Sequence, residues 1–221
     1  MRKLLHSLIK TAIGYRLWAY PFKKAKMRAI QDFLPPARPL RVLDVGCGPG
    51  TNVPLFRGLD YIGVDLAPAY IRSASRRYPD MAFLQADARR LHVSPPHFDV
   101  VVLNSLLHHM DDLQVEELLG AVRRHVRPGG MVIAQEPLIP AGREMFPRLL
   151  MRFDRGTYFR DLDHWRRLFE HAKLRVEREQ PYAIGVLQLT GWHMVSFLLR
   201  PELPASTGER TQADYCGLGG S

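Results

Sequence analysis

The stretch "RVLDVGCGPGTNVPLF" (Arg41–Phe56) decides the reading of this chain. Val42, Leu43 and Val45 surround an aspartate, Asp44. Three glycines then fall on alternate positions, Gly46, Gly48 and Gly50. A glycine inside a strand or helix costs roughly 0.5–1 kcal/mol relative to alanine, so a cluster of three marks a loop. Thr51 and Asn52 are expected to open a helix. Strand, glycine loop and helix together make a nucleotide site. The first glycine permits a tight turn, and the others let a ligand approach the backbone. The helix start presents unpaired N–H groups and a positive dipole end. Such a ligand sits outside the carboxyl ends of the strands, where the strand order reverses.

Dinucleotide folds commonly carry G-x-G-x-x-G. Here the spacing is G-x-G-x-G, with Asp44 two residues before the first glycine. A carboxylate at that point repels a pyrophosphate and attracts a cation. Downstream, "YIGVD" (61–65), "MAFLQ" (81–85), "FDVVVLN" (98–104) and "GMVIAQE" (130–136) read as short strands, those rich in valine and isoleucine as buried on both faces. Helical patterns lie between several of them. One starts at Pro68; another is capped by Asp111 or Asp112 and stopped by "RPGG" (Arg127–Gly130). Strands alternating with helices predict a parallel sheet with right-handed crossovers. Asp65 ends the second strand, where an acid accepts hydrogen bonds from a ribose. Asp87, after the third, can receive an adenine amino group.

These segments, in this order and spacing, resemble the class I S-adenosylmethionine-dependent methyltransferases, especially the bacterial small-molecule group. "VLDVGCGPG" resembles their first motif, "GVDLAP" (63–68) the acidic loop and "QADAR" (85–89) the adenine turn. "FDVVVLNSLLHHM" (98–110) and "VRPGGMVIAQEP" (126–137) resemble the fourth- and fifth-strand motifs. The resemblance implies a Rossmann-like α/β fold with seven strands in the order 3-2-1-4-5-7-6, the seventh antiparallel. It implies S-adenosyl-L-methionine as cofactor, with no metal. Asp44, Gly46, Cys47, Gly48 and Asn52 would meet the methionine half, and Asp65 the ribose. Leu66, Asp87 and Ala88 would flank the adenine, with Asn104 and Ser105 near the sulfonium. Competing structural roles stay open. Asp44 can pin the glycine loop through backbone N–H groups, and Asp65 can cap the helix at Pro68.

Methyl transfer from a sulfonium needs alignment and exclusion of water. A hydroxyl or acidic carbon also needs a base. His108, His109 and Glu136 are the candidates, since imidazole titrates near neutral pH; local packing for the histidines and a cap or salt bridge for Glu136 compete with that role. Tyr158 and Arg160, in "DRGTYFRD" (Asp154–Asp161), can meet an aromatic or anionic substrate or simply pack their loop. Oxygen is the expected acceptor atom, with carbon and nitrogen open. After the fourth strand stands Asn104-Ser105-Leu106-Leu107 rather than Asn/Asp-Pro-Pro-Tyr, which argues against a nucleobase or amide substrate. Asp111-Asp112 lacks a third acidic partner at metal spacing. Three rivals remain: an NAD-dependent oxidoreductase, a cofactor-binding scaffold that never methylates, and a cyclase assisted by the sulfonium charge.

The chain has 221 residues, with 46% hydrophobic and 24% charged, enough for one domain with its own core. Residues 1–39 read as a basic amphipathic helical lid, whose Tyr15, Trp18 and Tyr20 can cover the cofactor or simply pack in the core. Residues 40–203 form the α/β domain, and 204–221 a flexible tail. The formal charge is +9. The pairs Arg76-Arg77, Arg123-Arg124 and Arg166-Arg167 are expected on solvated helix faces, and no nucleic-acid module accompanies them. Two cysteines, Cys47 and Cys216, predict a reducing, cytoplasmic setting rather than a disulfide framework. The basic lid makes a lipophilic acceptor, and contact with the inner membrane surface, worth testing.

Overall fold

The computed structural model describes residues 23–36, 39–91, 97–140, 142, 144–153, 156–186 and 189–202. The expected lid aromatics Tyr15, Trp18 and Tyr20, the loop residues Asp154 and Arg155, and the tail lie outside them. Seven strands form one sheet: β1 (Arg41–Val45), β2 (Asp60–Asp65), β3 (Ala82–Gln85), β4 (Phe98–Asn104), β5 (Val126–Leu138), β6 (Leu174–Val186) and β7 (Leu189–Pro201). Their spatial order is β3-β2-β1-β4-β5-β7-β6. β1 pairs in parallel with β2 and β4, and β4 with β5. β7 runs antiparallel to both its neighbours. Val45 is level with Val64 on β2 and Leu103 on β4. The loops after β1, β2 and β4 therefore open at one edge of the sheet, on either side of the point where the strand order reverses.

The helices are α1 (23–31), α2 (Pro68–Arg77), α3 (Asp112–His125), α4 (Met145–Phe153) and α5 (Leu162–His171). Alternation along β1 sends Leu43 and Val45 into one core layer and Val42 into the other. The first layer gathers Val115, Leu118 and Leu119 of α3 and Trp165 and Phe169 of α5. Each of these two helices starts on an aspartate. Asp111 accepts from the Gln114 N–H in a reciprocal capping box, and Asp161 accepts from the His164 N–H. The six paired arginines are all exposed on helices, as expected.

Two expectations need correction. No α-helix follows the glycine loop, and Val53–Leu55 make only a single 3-10 turn. Pro54 and Gly58 leave too little chain for an α-helix before β2 begins at Asp60. The face left open is covered by Ile30 and Phe33, in and just after α1, packed with Val53, Phe56 and Tyr61. "RPGG" does not stand outside the fifth strand: β5 begins at Val126, and the ladder with β4 shifts register between Phe98 and Val100. Gly129 there takes φ +77°. Residues 137–160, whose sequence is less regular than the strands and helices before them, contain α4, which packs Leu150 and Met151 against Trp192 and Met194 of β7.

Candidate functional site

The glycine loop departs from β1 by folding over β2. The Gly46 and Cys47 N–H groups both donate to the Val64 carbonyl, at 2.8 and 3.0 Å. Gly46, Gly48 and Gly50 take φ values of +72°, +55° and +78°, open to glycine and strained for other residues. A Cβ on Gly46 would stand 2.8 Å from the Leu106 side chain, so its absence keeps a cleft open. That cleft has a volume of about 230 Å³. It is lined by Gly46, Gly48, Asp65, Tyr70, Asn104, Ser105, Leu106 and His109.

Asp65 braces the loop. One carboxylate oxygen accepts from the Gly48 N–H at 2.9 Å, the other from the Ala67 N–H at 2.8 Å. It therefore ties the β1 and β2 loops together, while the residue at the N-terminus of α2, Ala67, has no side-chain cap. Leu66, beside it, is two-thirds exposed.

Asp44 lies beneath this floor, fully buried. Its partners are side chains, not the loop backbone. The Tyr61 hydroxyl donates to it at 3.0 Å and the Asn52 amide at 3.3 Å. Asn52 in turn accepts from the Asn104 amide at 2.9 Å, which links the buried acid to the cleft wall. Burial pushes the Asp44 carboxyl up to about 7, against the opposing pull of the Asn52 and Tyr61 hydrogen bonds. Among the described residues no cation offsets it. A cationic ligand above the floor would supply that charge. Cys47 is buried, and its thiol is driven far above the ordinary range by burial first and then by Asp44 and Asp65; it has no reactive character.

The turn after β4 forms the opposite wall. Ser105 adopts φ +53°, a left-handed conformation rare for serine. Its hydroxyl donates to Asn104 at 3.3 Å and accepts from the Lys26 ammonium at 2.8 Å. Glu136, fully buried on β5, organises the rest. It accepts from the N–H groups of Leu106 (2.9 Å), Leu107 (2.8 Å) and His108 (3.3 Å), and contacts His108 Nδ1 at 2.7 Å. His108 is buried, its ring stacked on Phe159 at 5.5 Å. His109 alone of the three base candidates reaches the cleft lining.

The remaining candidates separate from the cleft lining. Asp87 starts the 3-10 turn Ala88–Arg90, and both its oxygens engage Arg89, at 3.0 and 2.7 Å. The Arg89 hydrogen bond holds this carboxyl below its usual range. Arg160 is buried, bound to Asp112 and to the carbonyls of Met110, Leu107 and Tyr158. It clamps its loop and is not among the residues lining the cleft. Among the described residues no group of three histidines, cysteines or acids is placed to hold a metal. Tyr70, Leu106 and Lys26 escaped the sequence reading. Tyr70 sits on a helix with ordinary amphipathic spacing. Lys26 comes from a distant segment and is one of several lysines there.

A family model described as a methyltransferase domain matches residues 17–179, well over half of the chain. The trans-aconitate 2-methyltransferase of Methylobacterium nodulans is 36% identical over 126 residues, 52% of this chain and 46% of that protein. The malonyl-[acyl-carrier protein] O-methyltransferase of Enterobacter lignolyticus is 34% identical over 108 residues, 47% of this chain and 41% of that protein. The chain thus spans about half the length of the curated relatives it matches. Among solved structures, a methyltransferase from Leishmania major superposes with a TM-score of 0.69 at 16% identity, over 90% of this chain and 81% of that one. At such identity the likeness concerns the fold.

Proposed function

The chain belongs to the methyltransferase-domain family, and from that premise we propose that it binds S-adenosylmethionine in the cleft and passes the methyl group to a small molecule. One observation carries this reading: a buried carboxyl, Asp44, with no cationic partner among the described residues, underlies a loop of three left-handed glycines that leaves the backbone open to a ligand. That floor suits a cation and repels a diphosphate. Gly46 and Gly48 would meet the methionine half, Asp65 the ribose, and Asn104 and Ser105 the end that carries the methyl group. Leu66, Asp87 and Ala88 lie along the path of the adenine. The bound donor supplies an activated methyl group whose loss leaves a neutral thioether, S-adenosylhomocysteine. Asn104 and Ser105 orient the acceptor side, and the wall from Leu106 to His109 excludes water. No metal is required for a displacement of this kind. Oxygen as acceptor atom is supported by the relative that bears O-methyltransferase in its name.

Peripheral contact with an anionic membrane surface, on the cytoplasmic side, is the second part of this reading. The basic segment 1–22, first expected to make this contact, lies outside the described residues; support comes from α4, whose Met145, Phe146 and Leu149 are exposed beside Arg152, on a chain of net charge +9. No helix among the described residues is long and apolar enough to cross a membrane.

Thermal denaturation tests the ligand. S-adenosylmethionine at a hundred times its Kd should stabilise the fold by about 2.7 kcal/mol, and NADH should have no effect. Stabilisation by NADH alone would transfer the cleft to hydride chemistry.

A further inference from the structure

Lys26 is not among the residues lining the cleft, yet an unbroken line of side-chain hydrogen bonds joins it to Asp44. We propose that Lys26 is a positioning residue: its ammonium sets the direction of that line, and the direction keeps Asp44 in the carboxylate form that a cationic cofactor requires. The inference rests on the cleft being the S-adenosylmethionine site.

The Lys26 ammonium donates to the Ser105 hydroxyl at 2.8 Å, and that hydroxyl donates to Asn104 Oδ1 at 3.3 Å. The Asn104 amide donates to Asn52 Oδ1 at 2.9 Å, and the Asn52 amide to Asp44 at 3.3 Å. All these bonds point one way. A serine hydroxyl and an asparagine amide both donate and accept, so the middle groups fit either direction. The ends do not: an ammonium only donates and a carboxylate only accepts. The ammonium has two further N–H groups, and partners for those leave the bond to Ser105 unchanged. Gln135 fixes this end of the line. Its backbone carbonyl accepts from the Ser105 N–H at 2.7 Å, and its side-chain amide donates to the Lys26 carbonyl at 3.2 Å. One fully buried residue thus holds both partners of the first bond.

At the other end, Asn52 and Tyr61 both donate to Asp44. That arrangement suits a carboxylate, whereas an acid proton would meet donors. With the line reversed, Asn52 would turn its oxygen to Asp44 and accept the proton of the acid form. Reversal would also ask the Ser105 oxygen to accept from Lys26 and Asn104 at once, and would deprive its hydroxyl of the Asn104 acceptor. Lys26 therefore opposes the arrangement that favours the acid.

The other titratable groups around Asp44 are Tyr61 on β2, Cys47 in the glycine loop and Asp65 at the end of β2, with Tyr70 and His109 in the cleft lining. Burial and the Asp65 charge favour the acid form of Asp44, and burial keeps Tyr61 and Cys47 neutral. Lys26 is not among the groups that act on Asp44 directly, so its influence passes through the hydrogen bonds. This fixes the sign of the effect. A lysine felt only as a charge repels a cationic cofactor, and its removal would tighten binding. A lysine that holds the line in its carboxylate direction assists binding, and its removal weakens it wherever Asp44 is partly protonated.

The experiment uses the full chain with carbon-13 in its aspartate side chains, so that NMR follows the titration of Asp44 without any ligand. Lys26→Met should raise the Asp44 midpoint by about one pH unit. Ser105→Gly should raise it by a similar amount; it keeps the ammonium, removes the hydroxyl and suits the backbone there, at φ +53°. The double variant should add little to either single change, because both interrupt one line. Lys26→Arg also only donates and should keep the wild-type midpoint. Calorimetry with S-adenosylmethionine should agree: Lys26→Met binds roughly fivefold more weakly near pH 7 and regains the wild-type affinity at alkaline pH. An Asp44 midpoint unmoved in Lys26→Met overturns the proposal. So does a midpoint moved in Lys26→Met and not in Ser105→Gly, which would make the effect one of charge alone. Tighter binding by Lys26→Met at every pH overturns it as well. Should the midpoints move as expected while the wild-type chain binds no S-adenosylmethionine, the line stands and the reading of the cleft falls.

Discussion

Asp44 concentrates the electrostatics of the cleft in one carboxyl. It is fully buried, and burial pushes it up to about 7 while Asn52 and Tyr61 pull the other way. The folded, unliganded protein therefore holds a proton there that the unfolded chain has lost, across the window from the ordinary 3.8 to about 7. The contribution to stability is fully present below that window and declines as pH rises through it. A cation in the cleft favours the charged form, so binding expels the proton. Affinity for S-adenosylmethionine should accordingly rise roughly tenfold between about pH 6 and pH 8 and then level off. Calorimetry in buffers of different ionisation enthalpy should register the released proton at the acid end. Asp44→Asn should bind more weakly at the alkaline end and lose the pH dependence. A variant that keeps the full dependence would assign it to another group, with His109 in the cleft wall the first to examine.

Glu136 makes one element serve another: a side chain on β5 folds the turn that ends β4. Glu136→Gln keeps an oxygen for two of the N–H groups but turns an NH₂ toward the backbone N–H of His108, donor against donor, and toward its Nδ1. A cost of about 2 kcal/mol in chemical denaturation is expected, together with loss of the ordered wall from Leu106 to His109. An unchanged midpoint would mean that the turn holds itself. The strand to which Glu136 belongs was legible in sequence, as were the other sheet elements of residues 41–136. Periodicity and glycine punctuation are local signals, and a sheet buried on both faces writes them strongly. The missing helix after the glycine loop was legible too, in Pro54 and Gly58, but the likeness of the loop to other nucleotide sites outweighed them. α4 was hidden because Pro147 reads as a breaker, although in the first turn of a helix its missing N–H costs nothing. Gly46, Gly48, Asp65, Asn104 and Ser105 reached the cleft lining because their loops follow strand ends. The roles of Glu136 and Lys26 depend on what lies across the fold, and no spacing in the chain encodes that.

Taken together, the basic groups are spread over helices and strands, and several are already paired. Arg166 on α5 is bound by Asp163 and Glu179, and Arg200 on β7 by Glu177. Net charge alone therefore gives weak, unspecific attraction to an anionic surface. α4 adds an apolar stripe. Met145, Phe146 and Leu149 are exposed there at 84%, 41% and 48%. Arg148 turns back to the Pro140 and Gly142 carbonyls and fixes the start of the helix, while Arg152 is exposed near its end. An amphipathic helix of this kind lies in the plane of a bilayer, its apolar side chains among the acyl chains and its cations among the headgroups. Attraction to anionic lipid contributes about 1 kcal/mol per basic residue at the surface. The full chain should float with phosphatidylglycerol vesicles and not with phosphatidylcholine vesicles. High salt should weaken the association without abolishing it, since the stripe is insensitive to screening. Replacing Met145 and Leu149 together by glutamate should release the protein and leave S-adenosylmethionine binding intact, because neither residue lines the cleft. Flotation that is equal for the variant would confine the attraction to charge, and no flotation of the wild-type chain would remove the membrane from its function.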